Sequence, residues 1–394
     1  MKEHFPIFRH HKGLIYLDNA ATTHKPQSVI DTLAQFYSSE YATVHRSVYG
    51  LSLMATEKYY SARETVARFL HAKHTSEIVF TRGTTDSLNL VAASYARAFL
   101  KKGDEILTST IEHHSNLIPW QMAALATGAV LKYIPIDEQG SLLWEGTITE
   151  KTKIISLAHV SNVTGTIHPI ASIARAAHEK DAIVVVDGAQ GAPHMEVDVQ
   201  RLDCDFYAFS GHKCYGPTGI GVLYGKKTLL EKMAPIQGGG DMIANAGLEK
   251  STYADPPFRF EAGTPIIGGA IGLKSALDFI ENTGLRRIAD HEDALLKRAM
   301  KQLASIATLR ILGTAPQKGP IITFHIEGVH PLDLATFLDL KGIAIRSGHF
   351  CAQPAIREFG LETAARASFG IYNTPDEIDL FCEAVREAAD KLRH

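Results

Sequence analysis

The chain has 394 residues, of which 45% are hydrophobic and 21% are charged, a balance typical of a globular protein large enough for one large and one smaller domain. Its net charge of −3 gives no reason to expect binding to nucleic acid or to an anionic membrane. No apolar run reaches the roughly 20 residues of a membrane-spanning helix, and the first residues lack the apolar core of a signal peptide. Four cysteines without a CxxC pair argue against a disulfide framework and a zinc site. These features predict a cytoplasmic enzyme with reduced thiols and no metal.

Helix and strand patterns alternate through the first two thirds of the chain. Apolar residues recur at helical spacing from Val29 to Tyr37, after Pro26 in a first-turn position, and again from Ala62 to Leu70. Short runs rich in β-branched residues predict strands: EIVF (77–80), DEILTS (104–109), KIISLAHV (153–160), AIVVVDGA (182–189) and FYAFS (206–210). Strands alternating with helices predict an α/β fold with a mostly parallel sheet covered on both faces.

The helical pattern dominates after about residue 284. A long helix is predicted from Leu285 to Leu303, and PIITFHI (320–326) is predicted to form a strand. The last helix should begin at Thr374 with a capping box, since Pro375 and Glu377 follow at the expected positions. We therefore expect a domain boundary near residues 275–285.

Polar residues that could carry chemistry follow the predicted strands. In doubly wound sheets, ligands gather beyond the carboxyl ends of the strands. TRGTTDSLN (81–89) places Thr84 and Thr85 at the start of a helix, which suits a phosphate, although a plain helix cap is the alternative. In EHHSN (112–116), His113 and His114 are adjacent and so ill placed to bind one metal ion. One of them could stack on a flat cofactor, or both could be ordinary loop histidines.

Three further strand ends carry an amide, a carboxylate and an amine. Asn162 follows one strand, and Asp187 ends a nearly all-apolar strand, with Gln190 three residues later. A buried carboxylate needs a cationic partner, such as a pyridinium nitrogen, or must bond its own turn. Lys213 lies in FSGHKCYGPTGIG (209–221), where burial would leave part of its amine neutral and nucleophilic. Pyridoxal 5'-phosphate (PLP), bound through its aldehyde, is indicated by the combination of a turn suited to phosphate, the Asp187 carboxylate and the shielded Lys213 amine.

These motifs carry a family resemblance over nearly the whole chain. The chain resembles the fold-type I PLP enzymes of the class V aminotransferase group, and within it the group II (SUF-type) cysteine desulfurases. The matching stretches include YLDNAATTHKP (16–26), VHRSVYGLS (44–52), TRGTTDSLN, EHHSNLIPW (112–120), DGAQGAPH (187–194), FSGHKCYGPTGIG, FEAGTP (260–265), RSGHFCAQP (346–354) and RASFGIYNT (366–374). The resemblance implies an N-terminal segment (1–15) that packs with the small domain, a large PLP-binding domain (16–280) with a mostly parallel seven-stranded sheet, and a smaller α+β domain (281–394).

The resemblance also implies roles for individual residues. Lys213 would bind the cofactor covalently, His113 stack on its ring, Asp187 pair with its nitrogen and Gln190 meet its phenolic oxygen. The other cofactor-binding residues would be Thr84, Thr85, Asn162, Ser210, His212 and, from the second subunit of a homodimer, Thr264. The substrate-binding residues would be Arg366, Asn162, His45, Arg346 and Ala20.

Cys351 matches the catalytic thiol of the family. By resemblance, its thiolate would attack the sulfur of L-cysteine, leaving L-alanine and a Cys351 persulfide. The persulfide would pass to a SUF-type acceptor protein (SufE- or SufU-like) for iron–sulfur cluster assembly. A selenocysteine lyase would share every motif. In another class V PLP enzyme Cys351 would be incidental, and a non-catalytic scaffold would show no bound cofactor.

Two positions depart from the family pattern. Phe350 stands where a second histidine is usual, which removes a possible donor beside Cys351 and leaves activation of the thiol to His349 and Arg346. Cys214 follows Lys213 where an apolar residue is usual, and we interpret it as a small packing substitute.

Overall fold

The computed structural model describes residues 1–45 and 47–393. The strands are β1 (Ile15–Tyr16), β2 (Ile78–Thr81), β3 (Glu105–Ser109), β4 (Val130–Ile134), β5 (Thr152–Ala158), β6 (Ile183–Asp187), β7 (Phe206–Ser210), β8 (Gly221–Gly225), β9 (Ile243–Ala246), β10 (Ser251–Tyr253), β11 (Leu309–Leu312), β12 (Ile321–Ile326), β13 (Ile343–Ala344), β14 (Arg346–Gly348) and β15 (Ala364–Ser368). The helices are α1 (Ile7–His10), α2 (Gln27–Gln35), α3 (Gly50–Phe69), α4 (Thr84–Val91), α5 (Arg97–Phe99), α6 (Ile118–Thr127), α7 (Ile170–His178), α8 (Val199–Leu202), α9 (Lys227–Leu230), α10 (Ile267–Thr283), α11 (Leu285–Leu303), α12 (Pro331–Asp339), α13 (Gln353–Glu358) and α14 (Pro375–Lys391).

Seven strands form the central sheet in the order β2-β8-β7-β6-β5-β3-β4. Strand β8 runs antiparallel to both of its neighbours, and the other pairs are parallel. The predicted mostly parallel seven-stranded sheet is therefore confirmed. Because parallel strands point the same way, β2, β3, β5, β6 and β7 end at one edge of the sheet and bring their following loops together.

A second sheet and a second core lie toward the C-terminus. Four antiparallel strands take the order β11-β12-β15-β14, and their buried side chains pack with those of α11 and α14 around Phe324 and Phe381. The predicted α/β fold with an α+β C-terminal part is thus confirmed. Strand β1 pairs in parallel with β13, and Ile15 and Leu17 pack in this second core. The division into residues 1–15, 16–280 and 281–394 stays a prediction, although Gly284 separates α10 from α11 near the expected boundary.

The local helix signals give one confirmation and one small correction. The Thr374 side chain accepts a hydrogen bond from the Glu377 amide, and the Glu377 carboxylate accepts one from the Thr374 amide, so the predicted capping box is present. Pro26 precedes the first turn of α2 as its N-cap, with extended backbone. Among the described residues, no helix combines the length and apolar character needed to cross a membrane.

Candidate active site

A cavity of about 510 Å³ opens where the central sheet meets β14, β15 and the loop that carries Cys351. The structure brings most of the predicted site residues together on its walls. They are Ala20, Thr84, Thr85, His113, Asn162, Asp187, Gln190, Ser210, His212, Lys213, Arg346, Cys351 and Arg366. Five different strand ends and the second sheet thus contribute to one site.

Lys213 lies in a single 3₁₀ turn directly after β7. Burial lowers the pKa of its amine to about 8; the Asp187 carboxylate opposes this shift and the Arg366 cation reinforces it. A lysine with such a pKa has a substantial neutral fraction near neutral pH, which is what attack on an aldehyde requires. The flanking Cys214 is fully buried, and burial raises the pKa of its thiol to about 12, as befits a packing residue.

Hydroxyl groups converge at one end of the cavity, beside the first turn of α4. The Ser210 hydroxyl accepts a hydrogen bond from the Thr84 amide and shares another with the Thr84 hydroxyl, both at 2.8 Å. Thr85 and Ser115 share a hydroxyl contact of 2.7 Å. Hydroxyls and backbone amides at a helix N-terminus are suited to a dianionic phosphate.

Glycines make this turn possible. Gly221 pairs with Thr81 on one side and with Ser210 on the other. A Cβ built on Gly221 would lie 2.4 Å from the Cα of Gly83, which is too close for any other side chain. The hydroxyl end of the cavity therefore depends on direct contact between the backbones of Gly83 and Gly221.

Another part of the cavity wall, formed by Asp187 and His113, suits a protonated aromatic ring. Burial raises the pKa of Asp187, although a hydrogen bond from the Ala189 amide and the charge of Lys213 oppose the shift. A pyridinium partner would compensate for this burial. The Nδ1 atom of His113 accepts from the Ser115 amide at 3.0 Å, and burial lowers the pKa of His113 to about 3, so the imidazole is neutral.

The amide of Gln190 completes this part of the wall. Its Nε2 donates to the Ala20 carbonyl at 2.7 Å, and its buried Oε1 has no hydrogen-bond partner among the described residues. A buried polar atom without a partner is expected to meet a ligand. The hydroxyl turn, Asp187, His113, Lys213 and this orphaned amide together fit PLP.

Two arginines of the cavity wall, Arg346 and Arg366, share one carboxylate. Arg346 donates to both carboxylate oxygens of Asp18 at 2.7–3.1 Å, and Nη2 of Arg366 lies 3.5 Å from Asp18. Nη1 of Arg366 donates to the Asn162 carbonyl at 2.8 Å, whereas its buried Nε has no hydrogen-bond partner among the described residues. Burial lowers the pKa of Arg366 to about 10, with the Asp18 charge opposing the shift. Arg366 is thus a buried cation with a free donor, suited to a substrate carboxylate.

The loop that carries Cys351 is held by contacts with His114. Phe350 and Cys351 both have φ of +54°, a conformation that is uncommon outside glycine. The Cys351 carbonyl accepts from the His114 amide at 2.7 Å, and the Gln353 amide donates to Nε2 of His114 at 3.1 Å. Cys351 is exposed, whereas the other three cysteines are buried. The loop therefore presents one accessible thiol at the mouth of the cavity.

His45 and Thr264 do not line the cavity formed by this chain. The His45 ring packs edge-on against Tyr59 and Phe258. Thr264 is exposed on a loop that is anchored by the buried pair of Arg63 and Glu261, 2.7 Å apart. Their predicted roles in substrate and cofactor binding stay predictions.

Sequence reasoning missed residues that support the site without a distinctive signature. Asp18 anchors both arginines, Ser115 contacts Thr85, and Thr22 shares a 3.1 Å hydrogen bond with His212. Burial lowers the pKa of His212 to about 4, so this ring is neutral. In the sequence, Asp18 lies within YLDNAATT, where nothing reveals its two arginine partners, which are distant along the chain.

The chain matches a known protein family over nearly its whole length. The family model described as Aminotransferase class-V matches residues 15–381. The chain belongs to the class V aminotransferase family. A "Probable cysteine desulfurase" of Halalkalibacterium halodurans is 50% identical, with 100% of this chain and 98% of the relative covered. The chain covers only 58–64% of three other relatives, which are 46–47% identical.

Two solved structures are similar over the full length. The crystal structure of the cysteine desulfurase CsdA from Escherichia coli (S-sulfonic acid) superposes with a TM-score of 0.93 at 42% identity, covering 100% of this chain and 98% of that one. The apo structure of the cysteine desulfurase from Thermococcus onnurineus superposes with a TM-score of 0.95 at 40% identity, covering 99% and 97%. The predictions of family, of fold, of PLP dependence and of a cysteine desulfurase are confirmed by these matches.

Proposed function

We propose that this chain converts L-cysteine to L-alanine and leaves the sulfur on Cys351 as a persulfide, with PLP as cofactor. The observation that carries the proposal is the single cavity shared by Lys213, Asp187, His113, Arg366 and Cys351. A nucleophilic amine, a neutral ring for stacking, a buried carboxylate, a carboxylate-binding cation and an exposed thiol are the groups that this reaction needs.

The residues that would hold PLP follow from the site. Lys213 would bind its aldehyde, Asp187 its ring nitrogen and Gln190 its phenolic oxygen, with His113 against the ring. Thr84, Thr85, Ser210 and His212 would hold the phosphate, and Asn162 would complete the cofactor contacts. When bound, PLP withdraws electrons from the α-carbon of an amino acid and so makes the α-proton acidic.

The chain's own groups then divide the work. Arg366, with Asn162, holds the substrate carboxylate, Arg346 and Ala20 line the pocket, and the Nζ atom of Lys213 takes the α-proton. The Cys351 thiolate attacks the substrate sulfur, so that a new S–S bond forms while the C–S bond of cysteine breaks. The electron pair of the broken C–S bond stays with the former substrate, whose α- and β-carbons each gain a proton, so that it leaves as L-alanine while the sulfur remains on Cys351.

The test is a paired measurement of alanine and of the protein mass. We expect L-cysteine to yield alanine and a protein heavier by one sulfur at Cys351. Cys351→Ala should retain the cofactor's visible absorbance but lose both products by at least about a hundredfold, as expected for loss of a nucleophile. The matched control Cys214→Ala should retain both. Persulfide formation in Cys351→Ala would contradict the proposal.

A homodimer is the proposed assembly. Apolar residues with 52–92% exposure cluster between α2 and the first turns of α3, namely Tyr37, Tyr41, Val48, Tyr49 and Leu53. An exposed apolar patch of this kind is typical of a protein interface. In the dimer, Thr264 would reach the phosphate bound by the partner, and His45 would face the substrate pocket.

The destination of the sulfur belongs to the same proposal. A group II enzyme would pass the Cys351 persulfide to a SUF-type acceptor in the cytoplasm for iron–sulfur cluster assembly. The exposure of Cys351 supports transfer to another protein. Mixing the persulfidated enzyme with a SufE- or SufU-like protein and following the sulfur by mass spectrometry would test this step.

A further inference from the structure

Phe350 is the residue directly before Cys351, and it is buried rather than exposed like its neighbour. Phe350 is 7% exposed, and its ring lies against Arg366, with 4.8 Å between the ring centroid and the guanidinium carbon. This is the geometry of a cation–π contact in a desolvated site. The aromatic side chain that departs from the family pattern therefore touches the carboxylate-binding cation.

The backbone of Phe350 makes a second contact to the same site. Its carbonyl accepts from Nδ2 of Asn162 at 2.9 Å, and the Asn162 carbonyl in turn accepts from Nη1 of Arg366 at 2.8 Å. Phe350, Asn162 and Arg366 thus form a closed set of contacts. One residue before the thiol, the Cys351 loop is tied to both groups that would bind the substrate carboxylate.

These contacts restrict the guanidinium of Arg366 from two directions. The Phe350 ring covers one face, and Asn162 and Asp18 fix the two terminal nitrogens. The buried Nε, which has no hydrogen-bond partner within the described chain, is left available. A substrate carboxylate bound there would have a defined orientation relative to the loop that carries Cys351.

We propose that Phe350 is a positioning residue, which sets the orientation of Arg366 and thereby the register between the bound substrate and the Cys351 thiol. This inference rests on the proposed function for the identity of the substrate. The aromatic face, rather than apolar bulk alone, carries the effect.

The experiment compares Phe350→Leu, which keeps apolar bulk but lacks the ring, with Phe350→Tyr, which keeps the ring. Binding of L-alanine is followed through the absorbance of the bound cofactor, and KM and kcat are measured with L-cysteine. Phe350→Leu should weaken L-alanine binding and raise KM by about tenfold, the expected effect of a lost desolvated cation–π contact. Because the loop is also released from Arg366, kcat should fall as well. Phe350→Tyr should stay within about twofold of the wild type in all three quantities, since it retains the ring.

Helix α12 offers a matched control. The Phe337 ring lies 5.2 Å from the Lys341 ammonium, and neither residue lines the cavity. Phe337→Leu removes a similar contact and should leave L-alanine binding and KM unchanged. If Phe350→Leu does not retain the cofactor, Phe350→Met, which also lacks a ring, provides the same comparison.

Two results would overturn the inference. The first is wild-type L-alanine binding and KM in the ringless variant, and the second is equal weakening in Phe350→Leu and Phe350→Tyr. L-Alanine binding does not require sulfur transfer. Failure of the proposed function would therefore appear separately, as a wild-type enzyme that binds L-alanine but makes none from L-cysteine.

Discussion

At the scale of single residues, Asp18 shows how a carboxylate outside the cavity wall can organise the two arginines of the proposed substrate site. Two cations so close to each other would repel, and the shared carboxylate makes their proximity tolerable. The hydrogen bonds from Arg346 raise the pKa of its guanidinium, and the Asp18 charge opposes the effect of burial on Arg366.

Asp18→Asn should raise KM for L-cysteine by about tenfold, because Arg366 and Arg346 lose their common anchor and repel each other. The change is measured by steady-state kinetics and by L-alanine binding. Asp379→Asn is the matched control, since Asp379 pairs with Arg298 on the surface. An unchanged KM in Asp18→Asn would show that Arg346 and Arg366 keep their positions without the Asp18 carboxylate.

Some residues of the site could be predicted from the sequence, and others could not. Lys213 and Asp187 were predictable because a buried charge after an apolar strand demands a special partner. Asp18 and Ser115 were not, because their importance depends on contacts with residues that are distant in sequence. The role of Phe350 was equally hidden, since the sequence shows a missing histidine but not the Arg366 guanidinium beneath the ring.

At the scale of elements, the segment from β3 to α6 holds His113 through a buried carboxylate. Glu112 accepts hydrogen bonds from the Ser109 hydroxyl at 2.6 Å, the Asn116 amide at 2.7 Å and the Ala158 backbone at 2.9 Å. Burial raises the pKa of Glu112 to about 8; these hydrogen bonds oppose the shift, and the Asp187 charge adds to it. Glu112 thus ties the His113 loop to the end of β5.

This carboxylate should make stability depend on pH. Its pKa is raised in the folded state, so the folded protein binds a proton that the unfolded chain releases above about pH 4.5, and stability is lost as the pH rises toward 8. Glu112→Gln resembles the protonated form and removes this titration. Between pH 6 and pH 8.5, the free energy of unfolding should fall in both proteins, but the fall should be smaller in the variant by up to about 2 kcal/mol. Parallel pH profiles in denaturant unfolding would contradict this expectation.

Elements were largely predictable because their patterns are local. The strand FYAFS was predicted with the boundaries found for β7, and α11 spans the predicted Leu285 to Leu303. The order of the strands in the sheet could not be predicted from local patterns. Strand β8 lies between β2 and β7, and nothing in its sequence, GVLYG, indicates whether its neighbours run parallel or antiparallel to it.

At the scale of the whole molecule, the proposed dimer predicts that surface and cofactor site depend on each other. Val48→Asp places a charge in the exposed apolar patch and should convert a dimer into a monomer, as measured by light scattering. Cofactor retention should fall in parallel, because Thr264 could no longer reach the partner's phosphate. Leu125→Asp on α6 is the control: Leu125 is 89% exposed beside β4, while α3 lies beside β2 at the other edge of the sheet. A dimeric, cofactor-loaded Val48→Asp would contradict the assembly.

The contact between Gly221 and Gly83 has a consequence for which mutations this enzyme can tolerate. Gly221 lines none of the cavity wall, yet it lies between the strand that leads to the proposed phosphate turn and the strand that leads to Lys213. Adding one methyl group there would push apart the two segments joined by Thr84 and Ser210. A survey of inactive variants would therefore include substitutions at Gly221, although a list of the residues that contact the ligand would not contain this position. We expect Gly221→Ala to lose the cofactor, although every residue proposed to hold the cofactor is unchanged in this variant.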